Sequence, residues 1–351
     1  MAFLSVKNVA IRGIAACVPS KIEENTDIPV FKEGEAIRVI SQTGIERKHV
    51  LEPGVIVSDL YKKAAEILIT DLGWEKESIN LLAVVSLSPD YLEPPTACIM
   101  QDRLGLSEEC FTIDMNQGCP GWVEGLATVS SLLSSGFMKR AILLNGDAST
   151  LLNSPLDKES RPLFGDAGIA TALEFKPESP GMEFQFGTKG KSFKSIWRKA
   201  GGLREPITED SLKMKKYGEH IVRRDIDCVM DGMNVFAFGI STAPMSVRKL
   251  CEQFDIDMNT VDKFLFHQAN QYMNDKIRKK LKIDPTKVPN CLKDFGNTSS
   301  ASIPLTIVSQ CNEEYSSTKL NNIACAFGVG LAWGTVHFWT DHIVCPKLIL
   351  Y

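Results

Sequence analysis

Residues 110–147, CFTIDMNQGCPGWVEGLATVSSLLSSGFMKRAILLNGD, decide the fold. The first seven have the β-branched and apolar content of a strand. Gly118 permits a sharp turn, and Pro120 suits the first position of a helix. Trp122, Val123, Leu126, Val129, Leu132 and Leu133 then recur at helical spacing. A helix with one buried stripe is therefore expected from Pro120 to about Ser135, closed by Gly136. The apolar run AILLNGD reads as the next strand. Upstream, an amphipathic helix at about Ser58–Leu72 leads through LGWEKESIN to the strand LLAVVSLS, and a helix near Thr96–Leu104 returns the chain to Cys110. The N-terminal MAFLSVKNVAIRGIAACVPS, interrupted by Lys7 and Arg12, reads as a first strand and not as a secretory leader.

The second half repeats this order. A helix at about Ala243–Phe254 leads through DIDMNTVD to a strand KFLFHQ. A helix near Tyr272–Leu281, a strand VPNCLKDF, a turn GNTSS, a helix from about Ser302 to Gln310 and a strand NIACAFGVG follow. Matching points keep nearly one offset: Ser86 to His267 is 181, Gly118 to Gly296 is 178 and Leu143 to Ala324 is 181, so the register is shared rather than accidental. Strands alternating with helices predict an α/β fold made of two duplicated halves, residues 1–175 and 232–351. The halves should pack about a pseudo-twofold axis and bring equivalent strand-end loops together. Between them, residues 176–231 are rich in Lys and Gly and read as an excursion covering the entrance, with a solvated linker as the other reading.

Bulk properties narrow the function. A formal net charge of −4 argues against a general nucleic-acid binder. No run approaches the roughly 20 apolar residues of a membrane span. The ten cysteines show no CxxC pair, which points away from a zinc site or a disulfide scaffold and towards reduced thiols in the cytoplasm. Neither a metal nor a cofactor is expected.

Three residues stand out. Cys119 follows a strand and a glycine and precedes a helix, where the helix dipole and free N–H groups lower a thiol pKa and make a nucleophile. The alternative is a buried structural thiol. His267 ends an apolar strand, followed by Gln268 and Asn270; it is either a site residue or a hydrogen-bonded core histidine. Asn297 occupies in the second half the turn position that Cys119 occupies in the first, or else serves as a turn residue or cap. The glycine turn in FGVGLAWG (Phe327–Gly334) links two strands and exposes backbone N–H groups, as an oxyanion hole needs. His49, His220, His337 and His342 connect to no site and read as structural or surface residues.

Taken in order, GCPG (Gly118–Gly121), FHQAN (Phe266–Asn270), GNTSSASIP (Gly296–Pro304) and FGVGLAWG resemble the β-ketoacyl-[acyl-carrier-protein] synthase III family of the thiolase-like superfamily. RPLFGDAGIA (Arg161–Ala170) and MDGMNVFAF (Met230–Phe238) extend the likeness over nearly the whole chain. The resemblance implies the five-layered αβαβα thiolase fold in a homodimer. It implies that Cys119 accepts an acyl group and that His267 and Asn297 serve decarboxylation and condensation. It also implies that the backbone N–H groups of Cys119 and Val329 form the oxyanion hole, Val329 standing where relatives commonly carry glycine. The implied partners are acyl and malonyl thioesters of acyl carrier protein or coenzyme A. Lys276, Arg278, Lys279 and Lys280 match a region that docks the acidic carrier in relatives; a solvated helix face is the other reading.

Three departures mark a specialised member. Arg38 and Gln42 stand where members clamp the coenzyme A adenine with Trp and Arg, which favours a carrier-bound donor. QGCPGW replaces an alanine-rich approach to the cysteine, and the tail Asp341–Tyr351 is longer than usual. Two other functions stay open: acyl transfer to an oxygen or nitrogen nucleophile without decarboxylation, and a non-catalytic partner subunit.

Overall fold

The structure, a computed structural model, describes residues 2–217, 219 and 221–351; His220 lies outside the described residues. Two sheets form the frame. The six-stranded sheet has the order Ile349–Leu350, Val9–Val18, Ala167–Phe175, Arg140–Asp147, Leu81–Val85, Phe111–Met115. The five-stranded sheet has the order Ala2–Val6, Met182–Thr188, Ala332–Asp341, Lys319–Gly328, Lys263–Phe266. The corresponding pairs repeat: Leu81–Val85 runs parallel to Arg140–Asp147, and Lys263–Phe266 runs parallel to Lys319–Gly328.

Three cores separate the layers. Helices Gly121–Leu133 and Ser302–Ser317 lie between the sheets, where Trp122, Val129, Ile303 and Leu305 meet Leu143 and Val85 of one sheet and Ala324 and Phe338 of the other. The outer face of the six-stranded sheet carries helices Val57–Asp71 and Thr96–Leu104 through Leu60, Leu68 and Met100. The outer face of the five-stranded sheet carries helices Gly232–Phe254 and Gln271–Leu281 through Val247 and Ile277. Helix, sheet, helix, sheet, helix is the expected five-layered arrangement. Each helix buries residues three and four apart, as Leu60, Tyr61, Ala64, Ala65 and Leu68 do, because one stripe faces a sheet.

The structure departs from the sequence expectations in several places. The N-terminal segment is two strands, Ala2–Val6 and Val9–Val18, belonging to different sheets. Asn8, with φ 63° and a side chain that accepts from the Glu178 N–H at 3.1 Å, turns the chain between them. VPNCLKDF is not a strand. Leu292–Phe295 is a short helix, because Pro289 lacks an N–H for a ladder and the buried Leu292 and Phe295 are three residues apart. The helix expected from Ala243 begins at Gly232, where the Asp231 carboxylate accepts from the Asn234 N–H at 3.0 Å, and it runs through Gly239 and Pro244. Gly239 is needed inside it: a Cβ there would stand 2.5 Å from the Phe327 ring. Within 176–231, Met182–Thr188 is an integral strand of the five-stranded sheet, while Ile196, Cys228 and Met230 reach the central cavity.

Candidate active site

One cavity of about 410 Å³ opens where the two halves meet, and Cys119, His267, Asn297 and Val329 all line it. Each arrives on an element the duplication foreshadows. Phe111–Met115 ends, the Gly121 N–H donates to the Gly118 carbonyl at 2.8 Å, and the helix starts at Gly121, one residue later than expected. Gly118 is tightly enclosed: a Cβ there would meet both Leu87 and Val329 at 2.9 Å. The Cys119 sulfur lies over Gly328, where a Cβ would stand 2.5 Å from Sγ.

The electrostatics correct one expectation. Burial pushes the Cys119 thiol up to about 11, against the lowering expected from its place before a helix. Hydrogen bonding from the Val329 and Cys119 backbone N–H groups and from the Ser299 hydroxyl favours the thiolate, and nearby Asp147 opposes it. Desolvation outweighs the donors because Cys119 is buried. Near neutral pH Cys119 therefore rests as a thiol, beside backbone amides that favour its ionised form.

His267 follows Lys263–Phe266 and is buried, with its ring edge-on to Phe327 at 5.7 Å between centroids. Burial lowers its pKa to about 4, so it is neutral near pH 7. Its Nδ1 lies 2.8 Å from Ser302 Oγ. That oxygen already accepts from the Gln268 N–H at 3.3 Å, so its own proton is free to go to Nδ1, which leaves Nε2–H as the group offered to the cavity.

Asn297 sits after Gly296, whose φ of 63° and closeness to the Leu163 carbonyl (2.6 Å from a built Cβ) leave room for no other residue. The Asn297 N–H donates to Leu163 O at 2.8 Å, and its Oδ1 accepts from the Ser299 N–H at 2.9 Å. The side-chain NH₂ is thus the group left for a ligand. Imidazole and carboxamide both present neutral donors, the pair that suits a developing oxyanion.

Not every expected residue meets the cavity. Helix Gln271–Leu281 contributes Met273 to the lining, while Lys276, Arg278, Lys279 and Lys280 follow further along it and stay outside. Arg278 donates to Ile283 O at 3.1 Å and Lys280 to Ile240 O at 2.9 Å, whereas Lys276 covers the Tyr272 ring at 5.1 Å. Gln42 lines the cavity and Arg38 does not. Sequence reasoning missed Asp147, Ser299 and Ser302. Asp147 ends the quoted strand AILLNGD, and that position, a polar residue closing an apolar strand, was the available signal.

His49 is a core residue stacked on Phe295 at 5.2 Å. His337 bridges Glu183 and Asn321, both at 2.7 Å, and the exposed His342 faces Asp341. Among the described residues, no helix is long and apolar enough to cross a membrane.

The comparisons agree with this architecture. The family model for 3-oxoacyl-[acyl-carrier-protein] synthase III matches residues 113–190, and the model for its C-terminal part matches residues 251–339. A Campylobacter jejuni relative is 30% identical over 342 residues, spanning 95% of this chain and 93% of its own. A β-ketoacyl-[acyl-carrier-protein] synthase III of Desulfitobacterium hafniense is 29% identical over 93% of this chain and 96% of its own. The crystal structure of a 3-oxoacyl-(acyl-carrier protein) synthase from Burkholderia xenovorans superposes with a TM-score of 0.93 at 30% identity, covering 100% of this chain and 99% of that one. Sequence motifs, five-layered fold and matched relatives converge: the chain belongs to the β-ketoacyl-[acyl-carrier-protein] synthase III family of thiolase-like acyltransferases.

Proposed function

We propose that this protein loads an acyl group onto Cys119 and extends it by decarboxylative Claisen condensation with a malonyl thioester, the thioesters being delivered by an acyl carrier protein. The observation that carries the reading is the meeting of Cys119, His267 and Asn297 in one cavity, although they lie far apart in the chain. Cys119 attacks the acyl thioester, and the tetrahedral oxyanion is held by the amides of Cys119 and Val329. The malonyl thioester then loses carbon dioxide. Its enolate oxygen takes hydrogen bonds from His267 Nε2–H and the Asn297 NH₂. The carbanion attacks the acyl-Cys carbonyl and releases the sulfur. A neutral His267 suits this step, because it donates a hydrogen bond without needing to be charged.

The exposed Gln42 in the lining supplies no ring to stack on an adenine, which favours the carrier-bound donor over coenzyme A. The enzyme works in the cytoplasm as a homodimer. The sheet-edge strand Phe111–Met115, with Phe111 exposed, and the apolar Tyr91 and Leu92 offer surface for a second copy.

The test is intact-mass analysis after incubation with acyl thioesters of several lengths and carriers, followed by carbon dioxide release from a malonyl thioester. The expected results are an adduct on Cys119 and stoichiometric carbon dioxide. Adduct formation without carbon dioxide release would indicate simple acyl transfer, and no adduct with any donor would remove Cys119 as acceptor.

A further inference from the structure

The chemistry above leaves the Cys119 proton without a destination. His267 does not take it, because Nε2 already carries a proton when Nδ1 accepts from Ser302. The same cavity is lined by a carboxyl group, Asp147, at the end of strand Arg140–Asp147 and 1% exposed. Its two oxygens differ. Oδ1 accepts from the Leu87 N–H at 2.6 Å, Ser86 Oγ at 3.0 Å and Ser88 Oγ at 3.4 Å. Oδ2 is buried and, among the described residues, has no hydrogen-bond partner of normal geometry. A buried carboxylate oxygen left in that condition is costly unless it is used. Ser299 lines the same cavity, held at φ 55° with its N–H on Asn297, and its hydroxyl favours the ionised form of both Cys119 and Asp147.

We propose that Asp147 receives the Cys119 proton through Ser299 during acyl loading. The proposal rests on the reading of Cys119 as acyl acceptor. As the bond from Sγ to the thioester carbon forms, the S–H proton passes to Ser299 Oγ and the Ser299 hydroxyl proton passes to Asp147 Oδ2. When the tetrahedral adduct collapses, the bond to the carrier sulfur breaks and the proton returns by the same route to the departing thiolate. Burial raises the Asp147 carboxyl to about 6, which keeps it ionised near pH 7 while making it a better base than an exposed carboxylate. The titratable groups facing it are Cys119, Cys228 and Tyr61, whose own hydroxyl donates to Gly146 O at 2.6 Å.

The test uses the full chain. Asp147→Asn keeps the Oδ1 contacts and replaces only the free oxygen, and Ser299→Gly removes the hydroxyl at a backbone φ that glycine adopts freely. Single-turnover acylation and iodoacetamide alkylation of Cys119 are measured across pH. Each variant should lose acylation by roughly 100-fold, with no further loss in the double variant, and the rise in rate near pH 6 should vanish. Alkylation in D147N should hold or quicken, because a neighbouring negative charge is gone. Acylation within about twofold of the unmodified protein in either variant, or acylation and alkylation falling together in D147N, overturns the relay. An unmodified protein that forms no acyl adduct on Cys119 instead defeats the acceptor reading itself, which the variants do not probe.

Discussion

Ser302 Oγ lies 2.8 Å from Nδ1 of His267 and fastens the imidazole to the helix Ser302–Ser317 beneath it. Its value lies in the far side of the ring, because only this partner turns Nε2–H towards the cavity. Ser302→Ala should leave acyl loading of Cys119 intact and slow carbon dioxide release from the malonyl thioester by about tenfold, the worth of one positioning hydrogen bond. Parallel measurement of adduct mass and carbon dioxide checks it. Equal loss in both would place Ser302 in the general packing of the site.

Gly328 supplies the space in which the Cys119 sulfur sits. A methyl group at 328 would stand 2.5 Å from Cys119 Sγ and 2.6 Å from its Cβ, and the turn before Pro120 cannot retreat while Gly118 is wedged between Leu87 and Val329. Gly328→Ala should therefore cost about 1–3 kcal/mol of stability, as overpacking does, and cut acyl loading far more than folding. Thermal unfolding alongside single-turnover acylation separates the two effects. A variant that loads at the normal rate would show that the sulfur has another resting place.

How much of this was legible in the sequence follows from what leaves a periodic trace. The repeated strand and helix order was visible because Leu60, Tyr61, Ala64 and Leu68, or Trp122, Leu126 and Val129, must face a sheet and so recur at fixed spacing. Cys119 and Asn297 could be paired because each follows a glycine in the equivalent turn. The missing strand at Val288–Phe295 was not legible: a short apolar run suits a strand or one helical turn equally, and the choice was made by burial of Leu292 and Phe295 on one side. The true start of the helix at Gly232 was hidden because Gly239 and Pro244 look like breakers until the packing of Gly239 against Phe327 and Met273 is seen. Ser302 carries no periodicity, and Asp147 offered only its place closing an apolar strand; what each faces is visible only in the fold. The raised Cys119 pKa likewise depends on total burial, which helix position alone does not report.

The pH dependence of stability should carry the mark of His267. Burial holds it neutral down to about pH 4, whereas in the unfolded chain it takes a proton near its ordinary 6.5. As pH falls through this interval the unfolded state binds the proton first. Stability present above pH 6.5 is therefore lost progressively towards pH 4, by roughly 3 kcal/mol. Asp147 and Asp166, raised to about 6 by burial, act in the opposite sense, since the native state binds their protons first. Comparing His267→Gln with the unmodified protein isolates the histidine: urea midpoints measured through this pH range should fall less steeply on acidification in the variant. Identical slopes would mean that His267 is accessible to protons in the native state.

The free thiol should also betray its burial. With Cys119 pushed up to about 11, alkylation by iodoacetamide should rise about tenfold for each pH unit through neutrality without levelling, since only the thiolate reacts. A plateau at neutral pH would show that the amides of Cys119 and Val329 outweigh desolvation.

Carrier docking can be separated from chemistry because the basic residues of helix Gln271–Leu281 lie outside the cavity that its N-terminal turn helps to line. Lys276 and Lys279 are exposed, and among the described residues neither makes an ion pair, whereas Arg278 and Lys280 are spent on backbone carbonyls. Reversing Lys276 and Lys279 to Glu should leave thermal stability nearly unchanged, as surface charges usually do. If this face receives an acidic carrier, turnover with carrier-bound substrate should fall several-fold, mainly through KM and most at low ionic strength, while small thioester mimics react at the normal rate. An equal fall for both substrates would instead mean that the charges act on the cavity through the helix. No change for either would place the carrier on another face of the molecule.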